Sequence, residues 1–130
     1  STPIKSSAAS DVYKRQVLSM GLVPIIAHPE RYICFHTEKW VAKELCDMGA
    51  LLQVNASSLA GRGGDEIKGY ATELVLSRLA DFVATDAHSA VSRPNDIIKC
   101  AERFDERITS EDIKRLVYKN PLKVLKDEIL

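Results

Sequence analysis

Three side chains able to bind a metal ion each follow a short apolar run. His28 comes directly after Val23 to Ala27 and is followed by Pro29, Glu30 and Arg31; Asp86 and His88 come directly after Phe82 to Thr85. In extended chain, residues i and i+2 face the same way, so Asp86 and His88 can share a site while Ala87 points away. A carboxylate with imidazoles is a donor set for manganese, iron or zinc rather than for a soft thiolate metal. Such an ion polarises a phosphoryl oxygen and lowers the pKa of a bound water. Arg31 and Arg93 stand close to these residues in the chain, and a guanidinium matches phosphate in a bidentate fork. Together they point to metal-dependent hydrolysis of an anionic, phosphorylated substrate. Singly they say little. A His-Pro after a strand is usually a turn, an Asp-x-His pair often caps a helix, and Arg93 beside Pro94 suits a solvated first turn. Glu30 reads as an ion-pair partner for a nearby arginine, and Asn55 and Ser57 as residues that satisfy loop backbone.

The elements that must position these groups follow from apolar periodicity. Val17 to Met20 reads as the end of a helix stopped by Gly21. Leu22 to Ala27 is a continuous apolar run, expected of a strand covered on both faces. Thr37 is placed to cap a helix from Glu38 to Met48 that carries Val41, Leu45 and Met48 on one face. Gly49 ends it, and Ala50 to Asn55 forms a second strand. A loop with Gly61, Gly63 and Gly64 precedes a helix over Asp65 to Leu79, with Ile67, Tyr70, Ala71, Leu74 and Val75 at helical spacing. Phe82 to Thr85 is the third strand. Pro94 suits the first turn of a helix reaching Phe104; Ser110 and Glu111 open another that ends near Asn120, and Pro121 starts a last short one. Strands alternating with helices predict an α/β fold of parallel βαβ units with right-handed crossovers. In such folds the site lies at the C-terminal ends of the strands, where His28, Asn55 and Ser57, and Asp86 with His88 all fall.

Composition removes several other functions. The chain of 130 residues carries 18 basic and 18 acidic side chains, so no net field recruits nucleic acid or an anionic membrane. Its apolar runs fall well short of the roughly 20 residues of a membrane span, and the N-terminus has no long apolar stretch of the signal-peptide kind. Cys34, Cys46 and Cys100 are too far apart for a zinc knuckle or a CxxC pair, and suit free thiols in a reducing cytoplasm. A cysteine-dependent phosphatase needs Cys-x5-Arg; the residues at that spacing are Trp40, Leu52 and Glu106. Residues 1–16 lack an apolar period and read as a disordered tail. Within them, Asp11 to Gln16 resembles the translation of a transposon-end adapter from shotgun libraries. That resemblance implies a junction with foreign sequence at about Gln16, a protein that continued upstream, and a domain over 17–130.

Three longer segments are Gly21 to Tyr32 (GLVPIIAHPERY), Gly49 to Leu59 (GALLQVNASSL) and Asp81 to Ser89 (DFVATDAHS), followed by Arg93-Pro94. Over Val17 to Leu130 the chain resembles the C-terminal part of the PHP-type (polymerase and histidinol phosphatase) tyrosine-protein phosphatases. The nearest group is the CpsB/CapC/YwqE enzymes of bacterial capsule and exopolysaccharide operons. The resemblance implies a distorted, TIM-like β/α barrel with a trinuclear metal cluster, usually manganese. It implies hydrolysis of phosphotyrosine on the tail of a partner tyrosine kinase by a metal-activated hydroxide, with no phosphocysteine. By position, His28, Asp86 and His88 match metal ligands, and Arg31 and Arg93 match catalytic, phosphate-binding arginines. The family also has a His-x-His strand, an acidic ligand, a further histidine and a glutamate, all upstream of its His-Pro-Glu-Arg. None is present here, and the only other histidine is His36. Three ligands cannot hold three metals that each want four to six donors. The expectation is therefore the C-terminal half of a barrel, inactive alone, with an open strand edge prone to aggregation. Another PHP phosphoesterase, acting for example on histidinol phosphate, is the alternative enzyme. A non-catalytic module that binds a kinase tail or partner subunit, and needs no metal, is the alternative class.

Overall fold

Ile25–Ala27 (β1), Leu51–Asn55 (β2) and Ala80–Ala84 (β3) form one sheet in the order β1-β2-β3, with both pairings parallel. The computed structural model describes residues 19–85 and 96–126. The expectations for residues 1–16, Asp86, His88, Arg93 and Pro94 lie outside the described residues. The alternation of strands and helices expected from the sequence is present, and a mixed α/β fold with a parallel sheet is the result.

The central strand makes the core. Leu52 and Val54 are fully buried, and Leu59, Leu74, Val75 and Leu116 pack around them. The run Leu22–Ala27, expected as a strand covered on both faces, pairs only over its last part, and Leu22, Val23 and Ile25 are exposed. Pro24 has no N–H to give, although its carbonyl accepts from the Leu51 N–H at 2.9 Å and opens the ladder. Among the described residues β1 is an edge strand. β3 starts earlier than Phe82 and carries a bulge: Leu52 pairs with Ala80 and Gln53 with Phe82, so Asp81 falls outside the ladder. Asp81 is used twice. Its Oδ2 accepts from the Leu52 N–H at 3.0 Å, and its carbonyl accepts from Asn120 Nδ2 at 2.7 Å. Burial holds its carboxyl above the usual range, opposed by that Leu52 bond.

The helices are Ile33–Thr37 (α1), Trp40–Asp47 (α2), Ala56–Leu59 (α3), Asp65–Leu76 (α4), Asp96–Ala101 (α5), Ser110–Lys114 (α6) and Asn120–Leu125 (α7). Thr37 does not cap α2. It ends α1, where Oγ1 donates back to the Ile33 carbonyl at 3.0 Å, a local bond that competes with capping. Thr109 and Asp112 close a reciprocal capping box at α6. The break expected at Asn120 is absent: a wide π turn over Arg115–Lys119 joins α6 to α7 and accommodates Pro121, whose ring and missing N–H an ordinary turn would not tolerate.

Two helices end in the same paired bonds. After α2, Gly49 N–H reaches Cys46 O and Ala50 N–H reaches Leu45 O, with Gly49 at φ 101. After α4, Arg78 N–H reaches Val75 O and Leu79 N–H reaches Leu74 O, but the left-handed position is taken by Arg78 at φ 65. A side chain there is strained. Arg78→Gly is therefore expected to raise stability by about 0.5–1 kcal/mol, the strain relieved less the added flexibility of glycine. Urea unfolding measures it, and an unchanged or lower midpoint would refute the strain.

Candidate metal centre

The parallel sheet brings the ends of β1, β2 and β3 to one edge. His28 sits at the first of them. Its N–H donates to Gln53 O at 2.7 Å, one further rung of the β1–β2 ladder, and its carbonyl accepts from Arg31 N–H at 3.1 Å. Between these bonds the backbone turns left-handed, φ 40 and ψ 56, into the tight turn Pro29–Arg31. A non-glycine residue there costs energy, and an outlier at a strand end motivates a functional reading. The ring lies 5.4 Å from that of Tyr32, and Nδ1 is buried without a hydrogen-bond partner.

Arg31, the last residue of the turn, is exposed, and no carboxylate among the described residues pairs with it. Glu30 departs from expectation: no arginine among the described residues meets it, and it is 0% exposed. Its Oε2 accepts from the Asn55 N–H at 3.2 Å, while Oε1 has no partner. His36 Nε2 donates to the Glu30 carbonyl. The His36 ring packs 4.6 Å from that of Tyr70.

Asn55 is 2% exposed, and its Nδ2 is buried and unpartnered; its side chain does not cap α3. The main-chain carbonyl of Ser57 accepts from Arg62 N–H at 3.0 Å. His28, Glu30 and Asn55 thus bring three buried, unpartnered polar atoms to the β1 and β2 ends. Sequence reasoning missed Glu30 and the orphaned amide of Asn55. The only available signal was their place beside strand ends, since burial of a charged residue leaves no mark in periodicity.

The fit to a metal is partial. Among the described residues no group of three or more His, Cys, Asp or Glu side chains could hold an ion. His28 fits as a single ligand, because an imidazole nitrogen buried without a partner at a strand end is a donor waiting for an acceptor. One imidazole is short of the four to six donors a divalent ion takes.

The thiols stand outside this chemistry. Cys34, Cys46 and Cys100 are free, and Cys46 Sγ donates to Leu79 O at 3.6 Å. Burial first, then the Asp81 carboxylate, pushes the Cys46 thiol up to about 11, so it is protonated near neutrality and a poor nucleophile. Burial likewise pushes Tyr70 up to about 12. Both groups hold their protons longer in the folded chain than in the unfolded one. Stability should therefore fall as pH rises from about 9 through 12, at up to about 1.4 kcal/mol per pH unit for each group. Urea midpoints across that range measure it, and a flat profile would refute it.

A parallel α/β sheet with buried, unsatisfied atoms of His28, Glu30 and Asn55 at its C-terminal strand ends has the layout of α/β proteins that work at that edge. The family described as Capsular polysaccharide synthesis, CpsB/CapC matches residues 5–126, and the chain belongs to it. It is 43% identical over 79 residues to the putative tyrosine-protein phosphatase CapC of Staphylococcus aureus, covering 61% of this chain and 31% of that protein. It is 28% identical over 119 residues to the tyrosine-protein phosphatase CpsB of Streptococcus pneumoniae, covering 88% of this chain and 49% of that one. The fold aligns at TM-score 0.73 and 26% identity with a chain from the crystal structures of YwqE from Bacillus subtilis and CpsB from Streptococcus pneumoniae, unique metal-dependent tyrosine phosphatases. That alignment covers 92% of this chain and 48% of that one. The chain thus spans about half the length of these relatives, or less.

Proposed function

We propose that the full-length protein is a metal-dependent tyrosine-protein phosphatase, and that this chain is the C-terminal half of its PHP barrel, over residues 17–130. The observation that carries the reading is His28, held left-handed at the end of β1 with Nδ1 buried and unpartnered, one turn from Arg31, which meets no carboxylate among the described residues. Two comparisons support it: tyrosine-protein phosphatases are among the relatives by sequence, and metal-dependent ones among those by structure. His28, Asp86 and His88 would hold manganese together with ligands from the other half. The ion, when bound, polarises the phosphoryl group and activates water. Arg31 and Arg93 would bind and orient the phosphate through paired N–H donors. The substrate would be phosphotyrosine on a bacterial capsule or exopolysaccharide kinase, met in the cytoplasm. No described helix is long and apolar enough to cross a membrane.

The test is hydrolysis of a phosphotyrosine peptide and of histidinol phosphate by the full-length protein with manganese. Preference for the peptide is expected; preference for histidinol phosphate would move the protein to another PHP activity. No metal dependence and no turnover would favour a binding module. Arg31→Lys should raise KM for the peptide about tenfold with metal binding unchanged, since an ammonium cannot replace the fork. An unchanged KM would remove Arg31 from the phosphate site.

A further inference from the structure

We infer that Glu30 is a positioning residue: its buried carboxylate fixes the turn that presents His28 and Arg31. The inference rests on the metal-site reading of His28, and its observations are independent of that reading. Two hydrogen bonds converge on Glu30. Its Oε2 accepts from the N–H of Asn55, 25 positions along the chain and the last residue of β2. Its carbonyl accepts from His36 Nε2 on α1, and its side chain is 0% exposed. The turn is thereby tied to the neighbouring strand at one point and to the following helix at another. It needs such ties, because His28 immediately before it adopts a backbone that β-carbon sterics disfavour.

Burying a carboxylate on a single hydrogen bond is costly, and Oε1 has no partner among the described residues. A residue that merely filled space would be apolar here. A group that reaches across from the turn to the end of β2 needs the length of a glutamate and an acceptor oxygen at its tip. Length and acceptor are the proposed requirement, and the negative charge is not. Three substitutions separate these properties. Glu30→Gln keeps length and one acceptor without charge; Glu30→Asp keeps charge and loses one methylene; Glu30→Ala loses all three.

The experiment uses the full-length protein labelled with nitrogen-15. Hydrogen exchange of the Asn55 amide reads the tie itself, and Mn2+-induced broadening of the His28 ring signals reads presentation of the ligand. Glu30→Gln should leave both readouts within about threefold of the parent, whereas Glu30→Asp and Glu30→Ala should speed Asn55 exchange at least tenfold and raise the Mn2+ needed by about 10–100-fold. If Glu30→Ala does not fold, the Gln and Asp variants decide alone. Parent-like behaviour of Glu30→Asp with loss in Glu30→Gln would overturn the inference in favour of charge. Parent-like Mn2+ response in Glu30→Ala would overturn it outright. If His28 in the full-length parent never responds to Mn2+, the metal reading fails and takes the inference with it, a result distinguishable because Asn55 exchange is measured separately.

Discussion

Replacing His28 by alanine is expected to lower kcat/KM of the full-length protein for a phosphotyrosine peptide by at least about 10³-fold, roughly 4 kcal/mol of transition-state stabilisation. The fold should survive. The bonds that anchor residue 28, to Gln53 O and from Arg31 N–H, belong to the backbone and persist in the variant. The ring adds its contact with Tyr32 and a buried Nδ1 that bonds to nothing. Stability should therefore change by no more than about 1 kcal/mol, as at positions without a packing role. His28→Gly sharpens the test. Glycine accepts φ 40 without strain, so this variant should be at least as stable as the parent and equally inactive. Stability gained with activity lost marks a residue kept for chemistry. Manganese titration of the variants completes the measurement, and turnover within tenfold of the parent would remove His28 from the metal site.

The reading of the sequence succeeds where a property is local and fails where it depends on what lies across the fold. The strands and the helix faces of α2 and α4 were legible because apolar spacing is a local signal: Val41, Leu45, Leu74 and Val75 are buried as their periodicity demands. His28 at a strand end was legible for the same reason. Glu30 was not, since its burial is set by β2 and α1 rather than by its neighbours in sequence. Thr37 was misplaced because one hydroxyl can cap the next helix or bond back into its own, and only packing chooses. The continuity of the last helix through Pro121 needed a π turn that carries no sequence signature. The bulge at Asp81 likewise appears only when Leu52 and Asn120 are beside it. Asp86, His88 and Arg93 lie outside the described residues.

Leu52→Ala is expected to destabilise the chain by about 3–4 kcal/mol, a large share of the roughly 5–15 kcal/mol that holds a domain together. Leu52 lies on the central strand, 0% exposed, in register with Ile26 on one side and Ala80 on the other. Truncation there leaves a cavity, and its cost depends on how far the walls can close. They are poorly able to. Ala80 is already small, and the Leu52 N–H is held by the Asp81 carboxylate, itself on a strand pinned by Asn120. The expected cost therefore sits above the lower end of the range for leucine-to-alanine changes in cores. Leu76→Ala is the control: at 36% exposure on the far turn of α4 it should shift stability by no more than about 1 kcal/mol. The consequence reaches the site, because the two β2 groups that hold His28 and Glu30 are the Gln53 carbonyl and the Asn55 N–H, one and three residues beyond Leu52. Loosening β2 at Leu52 should speed amide exchange at both His28 and Asn55, while Leu76→Ala leaves them protected. A cost below about 1 kcal/mol, with exchange at those amides unchanged, would mean that the sheet closes over the lost side chain, and β2 could not be the rigid strip that sets the site.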